Sequence, residues 1–374
     1  MNPFSGRIRA LLGDVNRAGL DGLLITNLIN VRYVTGFSGT AGAAILMPDR
    51  CVLVVDFRYA GSAREVLAQH SDTLVELVVT DRTYDETLAD VLRHSRATRL
   101  GIEGASMTVS RFQALSASLD PPAPAGETAR TIAVVATDLM VERRRAVKDD
   151  IEIEILREAA RRLSQVARHV PAFAQANRSE RDIAGDIDAS LRAAGFERPA
   201  FETIVASGPN SARPHARPGS RRLAPGDGVV LDFGGVYDGY CVDLTRTVYV
   251  GAPKAPLLRL AAAVREAHAA AIAAVRPGAR PSEIDRAARD VLAGHGLGEA
   301  FGHGTGHGLG LEVHEIPRIS KLPGALPDEP VAAGMVFTIE PGAYVEGLGG
   351  VRIEDDVLVT LDGCDVLTDV PIEC

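Results

Sequence analysis

The first 120 residues alternate short apolar runs with stretches in which apolar residues recur at helical spacing. Phe4, Ile8, Leu11, Leu12 and Val15 share one face of a predicted amphipathic helix. Short runs rich in Val, Ile and Leu predict buried strands over residues 23–25, 44–46, 52–55, 75–79 and 100–102. Strands that alternate with helices in this way predict an α/β fold for the N-terminal part of the chain.

The pattern changes near the middle of the chain. Residues 121–126 have the sequence PPAPAG and predict a loop, because proline and glycine interrupt regular structure. The charged stretch 141–150 then leads into a long helix, which we predict over residues 149–175. We therefore place the domain boundary near residue 145, which gives domains over residues 1–145 and 146–374.

The C-terminal domain contains a weak internal repeat. Ser179 begins one helical pattern as an N-cap, and Ser282 begins another after Pro281. Each half later contains an apolar run that ends in an acid. A glycine turn and a tyrosine follow this acid, and a second acid follows the tyrosine. The four acids are Asp232, Asp243, Glu340 and Glu354. We favour two related halves, each of two helices and a hairpin, although an apolar run before an acid and a glycine can arise by chance.

The spacing of the acids predicts that each hairpin brings two carboxylates together. A turn over residues 236–239 places Asp232 directly opposite Asp243, and a turn around Gly347 does the same for Glu340 and Glu354. Directly opposed side chains have Cβ atoms about 5 Å apart, and like charges there repel. Four such carboxylates must hold protons or bind cations, and a pair of divalent cations is the favoured solution. If the turns are centred elsewhere, some of the acids face solvent.

Histidines are concentrated in a glycine-rich run over residues 302–314, where glycine occupies every even position from 302 to 310. An extended run of this kind has one face without side chains, so another backbone or a ligand can approach closely. The opposite face carries His303 and His307, whereas His314 has the other parity and lies elsewhere or follows a bend. The run lacks a phosphate-binding glycine pattern. It therefore favours metal ligands or proton carriers beside the acids.

Composition and charge exclude several other classes of protein. Hydrophobic residues make up 46% and charged residues 24% of the chain, as in ordinary globular proteins. The net charge of −9 and the single short basic stretch at residues 143–145 argue against nucleic-acid binding. No apolar run approaches the roughly 20 residues that a membrane helix needs, and residues 1–20 lack the apolar core of a signal peptide. The four scattered cysteines, without a CxxC motif, favour a cytoplasmic location.

Several segments together resemble a known family. They are the strand ending at Asp232, DLTRT at 243–247, the glycine–histidine run, IEPG at 339–342 and VRIEDD at 351–356. These segments are similar to those of the Xaa-Pro peptidases, the aminopeptidase P and prolidase group of pita-bread metallopeptidases. The resemblance implies a creatinase-like α/β N-terminal domain and an α+β pita-bread catalytic domain with an internal pseudo-two-fold repeat. Residues 30–42 resemble aminopeptidase P relatives more than typical prolidases.

The resemblance also implies roles for individual residues. Five positions correspond to metal ligands, with Asp243 and Glu354 bridging two divalent ions: Asp232, Asp243, His307, Glu340 and Glu354. Manganese is the expected metal, with cobalt or zinc as alternatives, and oxygen-rich ligands with one imidazole suit Mn²⁺. Glu340 is also the candidate proton acceptor. His314 and His215 are candidate catalytic donors, and His303, Tyr344 and Arg352 are expected to contact substrate.

The expected reaction is hydrolysis of the peptide bond before proline. Divalent cations lower the pKa of water, so that hydroxide is available near neutral pH. An Xaa-Pro aminopeptidase is the favoured function. A prolidase that cuts only Xaa-Pro dipeptides is the nearest alternative, and it needs a group that captures the C-terminal carboxylate. A creatinase-type hydrolase and a non-catalytic binding module remain, although both are expected to lack metal ligands. The resemblance further implies small peptide substrates and a homodimer.

Overall fold

The computed structural model describes residues 3–69, 74–119, 131–321 and 328–372. The predicted loop at residues 121–126 lies outside these ranges. The chain divides into two compact units, Met1–Arg145 and Ala146–Cys374. Among the helices in the described ranges, none is both long and apolar enough to cross a bilayer.

The first unit is a six-stranded mixed sheet with helices, in the strand order β4-β3-β2-β1-β5-β6. Its elements are α1 (Pro3–Arg17), β1 (Gly22–Ile25), α2 (Leu28–Thr35), β2 (Ala43–Met47), β3 (Arg50–Asp56), α3 (Ala60–Ala68), β4 (Val75–Thr80), α4 (Tyr84–His94), β5 (Arg99–Glu103), α5 (Val109–Leu119), β6 (Ala133–Thr137) and α6 (Met140–Ala146). The five predicted strands correspond to β1–β5, and their apolar side chains form the core with α4 and α5. The predicted α/β class of this unit is confirmed.

The second unit begins with paired helices and hairpins. Its elements are α7 (Asp150–Ala167), α8 (Glu180–Ala193), β7 (Arg198–Pro199), β8 (Ile204–Ser207), β9 (Gly228–Tyr237), β10 (Tyr240–Tyr249), α9 (Ala255–Ala274), α10 (Pro281–Gly294), β11 (Gly306–Gly308), β12 (Glu315–Ile319), β13 (Val336–Ile339), β14 (Gly342–Val345), β15 (Gly349–Arg352), β16 (Asp355–Val359) and β17 (Cys364–Val366). Helices α7 and α8 precede the β9–β10 hairpin, and α9 and α10 precede the strands from β11 to β16. Each half therefore has a pair of helices followed by strands that carry the acids. This order agrees with the internal repeat predicted from the sequence.

Two predicted helix boundaries in this unit are wrong. Helix α7 begins after Asp149, which forms a capping box with Glu152, but it ends at Ala167 rather than at residue 175. The reason is Pro171, because a proline ring clashes with the carbonyl four residues earlier and cannot donate a helical hydrogen bond. Helix α10 starts at Pro281 rather than after a cap at Ser282, since proline suits the first helical position.

Candidate metal centre

The β9–β10 hairpin carries Asp232 and Asp243 on the same face but not directly opposite each other. Asp232 is paired with Thr245, and Asp243 with Gly234. The predicted direct opposition is therefore wrong, because the turn contains only Asp238 and Gly239, with φ values of 46° and 75°. Asp-Gly favours such a two-residue turn, since both positions need positive φ and the resulting twist matches the strands. The two carboxylates are diagonal neighbours, a spacing of about 7–8 Å between backbones.

The register predicted for Glu340 and Glu354 is confirmed. Ile339 lies opposite Asp355 in the β13–β16 pair, and Gly342 lies opposite Arg352 in the β14–β15 pair. Glu340 and Glu354 occupy the gap between these two ladders and keep the same register. Each therefore extends from a short irregular segment that is held at both ends by paired strands.

The acids of both hairpins meet in the interior of the unit. Ligand atoms of Asp243, His307 and Glu354 lie within 4.8 Å of one another, and all three residues are buried. Burial and repulsion from Asp232 raise the pKa of Asp243 well above its usual range. Burial and the charge of Asp243 do the same to the pKa of Glu354, and burial raises the pKa of Glu340. The site thus holds more negative charge than its own side chains neutralise.

Unsatisfied oxygen atoms show where a cation fits. Asp232 Oδ1, Asp243 Oδ1 and Glu354 Oε1 are buried, and no hydrogen-bond donor among the described residues reaches them. A buried carboxylate oxygen without a donor is costly unless a cation binds it. Several carboxylates with one imidazole are the donor set that a borderline-hard divalent ion prefers. The residues therefore fit a divalent-metal centre.

His307 is oriented as a neutral ligand. Its Nδ1 lies 3.1 Å from the carbonyl oxygen of Gly308, which can only accept, so Nδ1 carries the proton. Nε2 is left with its lone pair, 3.3 Å from Glu340 Oε1. Burial lowers the pKa of His307, which keeps the ring neutral. A backbone hydrogen bond that fixes the tautomer is typical of histidine metal ligands.

The glycines around His307 allow another backbone to approach, as predicted. A Cβ added to Gly306 would lie 1.8 Å from the carbonyl oxygen of Thr338, and one added to Gly308 would lie 2.2 Å from that of Ile316. Only Gly306–Gly308 forms a strand, whereas the prediction extended it over residues 302–310. The chain bends after β11, so His314 returns to His307, and the two ring centroids lie 4.3 Å apart.

Three supporting residues were missed in the sequence analysis. Thr245 Oγ1 donates to Glu354 Oε2 at 2.6 Å, and Thr338 Oγ1 donates to Glu340 Oε1 at 3.2 Å. The backbone N–H of Asp243 donates to Asp356 Oδ2 at 3.0 Å. Thr245 and Asp356 lie inside the segments that carry the family resemblance, but their partners come from distant parts of the chain. Sequence spacing alone could not pair them.

Arg352, Tyr344 and His303 form a hydrogen-bonded chain that leads to Asp232. Arg352 is 3% exposed, and its guanidinium donates to Asp232 Oδ2 at 2.5 Å and to the Tyr344 hydroxyl at 2.7 Å. The Tyr344 hydroxyl lies 3.0 Å from His303 Nε2. His303 Nδ1 lies 2.8 Å from the Gly304 carbonyl, so Nδ1–H is the donor there and Nε2 accepts from tyrosine. These contacts orient Asp232, and contact of the three residues with substrate stays a prediction.

His314 and His215 lie at the exposed edge of the site. Desolvation and the neighbouring His307 lower the pKa of His314 to about 4, so its ring is neutral at physiological pH. His215 is exposed, and the carbonyl oxygen of the preceding residue, Pro214, accepts a hydrogen bond from Arg352 Nη1 at 3.2 Å. The structure thus brings both histidines close to proposed site residues, since the His314 ring lies 4.3 Å from that of His307. Their catalytic roles stay predictions.

Arg318 is a further cation beside the site, which the sequence analysis missed. It lies opposite His307 in the β11–β12 pair, and its side chain is exposed. Burial is the main cause of the lowered pKa of His307 and of His314, and the charge of Arg318 lowers both further. The position of Arg318 in the sequence does not indicate that it lies beside His307. Only the register of the bulged β11–β12 pair shows this.

Comparison with known proteins places these residues in a family. The model of metallopeptidase family M24 matches residues 154–361, and that of the creatinase/prolidase N-terminal domain matches residues 7–147. The chain is 34% identical to a Xaa-Pro dipeptidase of Pyrococcus furiosus over 97% of both chains. The solved structure of a Xaa-Pro dipeptidase from Bacillus anthracis has a TM-score of 0.91 and 35% identity, with 99% of both chains covered. An X-Pro aminopeptidase from Thermotoga maritima has a TM-score of 0.83 and 32% identity, with 96% of this chain and 99% of that chain covered.

Proposed function

We propose that this chain, which belongs to metallopeptidase family M24, is a Xaa-Pro dipeptidase that hydrolyses the bond between the two residues of Xaa-Pro. The buried cluster of carboxylates with unsatisfied oxygens around His307 carries the proposal, because it provides a centre for hydrolytic metal ions. The similarity to dipeptidases of Pyrococcus and Bacillus favours the dipeptidase over the aminopeptidase that the sequence analysis preferred. This choice reverses the order of the two functions.

Five residues would hold two divalent ions, which we propose to be manganese: Asp232, Asp243, His307, Glu340 and Glu354. When bound, such ions supply a water of lowered pKa and a polarised carbonyl group. Asp243 and Glu354 belong to different halves of the repeat, so both halves would contribute carboxylates that hold the ions. Their mutual repulsion favours bound cations.

Glu340 is the proposed proton carrier. Its Oε1 lies 3.3 Å from His307 Nε2, so the carboxylate adjoins the proposed metal centre and can accept a proton there. The carboxylate takes a proton from the attacking water and passes it to the proline nitrogen as the bond breaks. Thr338 orients Glu340 Oε1 for this transfer through its hydroxyl group.

His314 and His215 are the proposed donors to the carbonyl oxygen of the scissile bond. This oxygen gains negative charge as the carbonyl carbon is attacked, and a neutral imidazole N–H can stabilise it. The low pKa of His314 means that a neutral ring is available throughout the physiological range. His303 and Tyr344 would line the same space and contact the proline ring.

Arg318 is the proposed group that binds the C-terminal carboxylate of the substrate, which a dipeptidase needs and an aminopeptidase does not. A dipeptide ends in a carboxylate one residue after the scissile bond, and a guanidinium can bind it through two parallel hydrogen bonds. Arg318 is exposed and lies opposite His307 in the β11–β12 pair, and its charge acts on both His307 and His314. We therefore propose that Arg318 selects dipeptides by binding this carboxylate.

The test compares a Xaa-Pro dipeptide with the same compound as an amide, which lacks the terminal charge. Arg318→Ala is expected to raise KM for the dipeptide roughly ten- to a hundredfold, the usual effect of losing a hydrogen bond to a charged group. KM for the amide should change little. Arg318→Lys is the matched control, since it keeps the charge and loses the planar fork. Preference of the wild-type enzyme for Xaa-Pro-Xaa over Xaa-Pro would instead establish an aminopeptidase.

The aminopeptidase remains the second candidate for two reasons. The chain is similar in structure to the X-Pro aminopeptidase of Thermotoga maritima. Residues 30–42 also resemble aminopeptidase P relatives. The manganese identity, the homodimer and the cytoplasmic location stay predictions alongside this choice.

A further inference from the structure

The loop between β11 and β12 carries His314, and backbone hydrogen bonds hold its first part. The N–H of Cys241, at the start of β10, donates to the carbonyl oxygen of Gly310 at 2.6 Å. The N–H of Gly310 donates to the carbonyl oxygen of Glu312 at 3.0 Å. His314 itself is exposed, and its ring contacts only that of His307 among the ring contacts of the described residues. Its position depends on the neighbouring residues.

Glu315, the residue after His314, places its carboxylate inside this loop. Oε1 accepts the N–H of Glu312 at 3.1 Å. Oε2 lies 3.2 Å from Lys148 Nζ, and the two side chains are only 5% and 1% exposed. A Cβ added to Gly310 would lie 2.9 Å from both carboxylate oxygens. The glycine therefore leaves room for a buried ion pair that closes the loop.

Lys148 is anchored to the strand that leads to the proposed proton carrier. Its N–H donates to the carbonyl oxygen of Gly334 at 2.9 Å. Its neighbour Val147 forms a β-bridge with Met335, the residue before β13. Glu340 follows the other end of β13 directly. The ion pair thus connects the loop of His314 to the strand that supports Glu340.

We propose that Lys148 and Glu315 are positioning residues, which fix the loop that carries His314 against the strand that leads to Glu340. The inference rests on the proposed function of His314 as a donor to the carbonyl oxygen. The attraction between the two charges holds the loop in place. This attraction is strong because Glu315 lies in a space from which water is nearly excluded. Both side chains are buried, so neither is placed to contact a substrate directly.

The test is a double-mutant cycle on the manganese-loaded full chain. Glu315→Gln keeps the size and an acceptor for the Glu312 N–H but removes the charge. Because a misplacement of about 1 Å can cost about a hundredfold, we expect kcat to fall roughly ten- to a hundredfold. Manganese content and KM should stay near their wild-type values. In a His314→Ala background the same change should have almost no further effect on kcat.

A second variant covers the case in which Glu315→Gln does not fold. Gly310→Ala leaves both charges in place and pushes the carboxylate away from its position, so it should lower kcat in the same non-additive manner. Gly294→Ala is the matched control, since an added Cβ there has no neighbour within 4 Å. It should leave kcat unchanged.

The outcomes separate this inference from the proposed function. An unchanged kcat in His314→Ala would overturn the role of His314 and, with it, this inference. If His314→Ala lowers kcat, two results overturn the positioning role alone. The first is a wild-type kcat in folded Glu315→Gln or Gly310→Ala. The second is a double mutant with His314→Ala in which the two losses of kcat multiply fully, as they do for independent residues.

Discussion

Replacing Asp243 by asparagine is expected to remove bound metal and lower kcat/KM at least about a hundredfold, because even residues that only orient metal ligands cost up to that amount. Asparagine has nearly the shape of aspartate and can keep the N–H···O bond between its backbone and Asp356. It lacks the negative charge, however, and turns an amide N–H₂ group toward the other ligands. The metal-free variant should be at least as stable as the metal-free wild type, since repulsion among buried carboxylates is reduced.

The measurement is metal content per chain beside kcat/KM and the melting temperature. Asp238→Asn is the matched control on the same hairpin, because asparagine tolerates the positive φ of the turn. It should keep full metal content and activity. Near-normal turnover of Asp243→Asn would mean that this carboxylate does not hold metal.

The second large effect separates His307 from His314, although their rings touch. His314→Ala is expected to retain metal and lose roughly 10²–10³ in kcat, the usual cost of removing one donor to a developing oxyanion. His307→Ala should instead lose affinity for metal, because its neutral Nε2 is a proposed ligand. Metal affinity measured by calorimetry beside kcat distinguishes the two. If His314→Ala loses metal and His307→Ala retains it, the two roles have been assigned the wrong way round.

The acids of the site could be predicted from sequence because they interrupt or directly follow apolar runs. An acid in such a strand is costly unless it has a partner, so Asp232, Asp243, Glu340 and Glu354 stand out as a group. The register of the second hairpin also followed from the position of Gly347. The register of the first hairpin did not follow, because Asp238 and Gly239 form a two-residue turn, which places Asp232 opposite Thr245 rather than Asp243.

Other parts of the site depend on tertiary contacts that no spacing predicts. Thr245 reaches Glu354 across two strands that are far apart in the chain. Lys148 meets Glu315 for the same reason, and Arg318 reaches the site through a bulged strand pair. The bend after β11 likewise decides where His314 lies. The sequence, with the family resemblance, identified all five proposed ligands, whereas the fold identified the residues that orient them.

Activity of the metal-stripped chain on a Xaa-Pro dipeptide tests the central claim most directly. After complete chelation, verified by metal analysis, we expect no detectable cleavage, and adding Mn²⁺ should restore it, with full activity near two ions per chain. Restored metal should also raise the melting temperature, since binding to the folded state stabilises it. Full activity in protein shown to contain no metal would contradict the assignment of the carboxylate cluster as a catalytic metal centre.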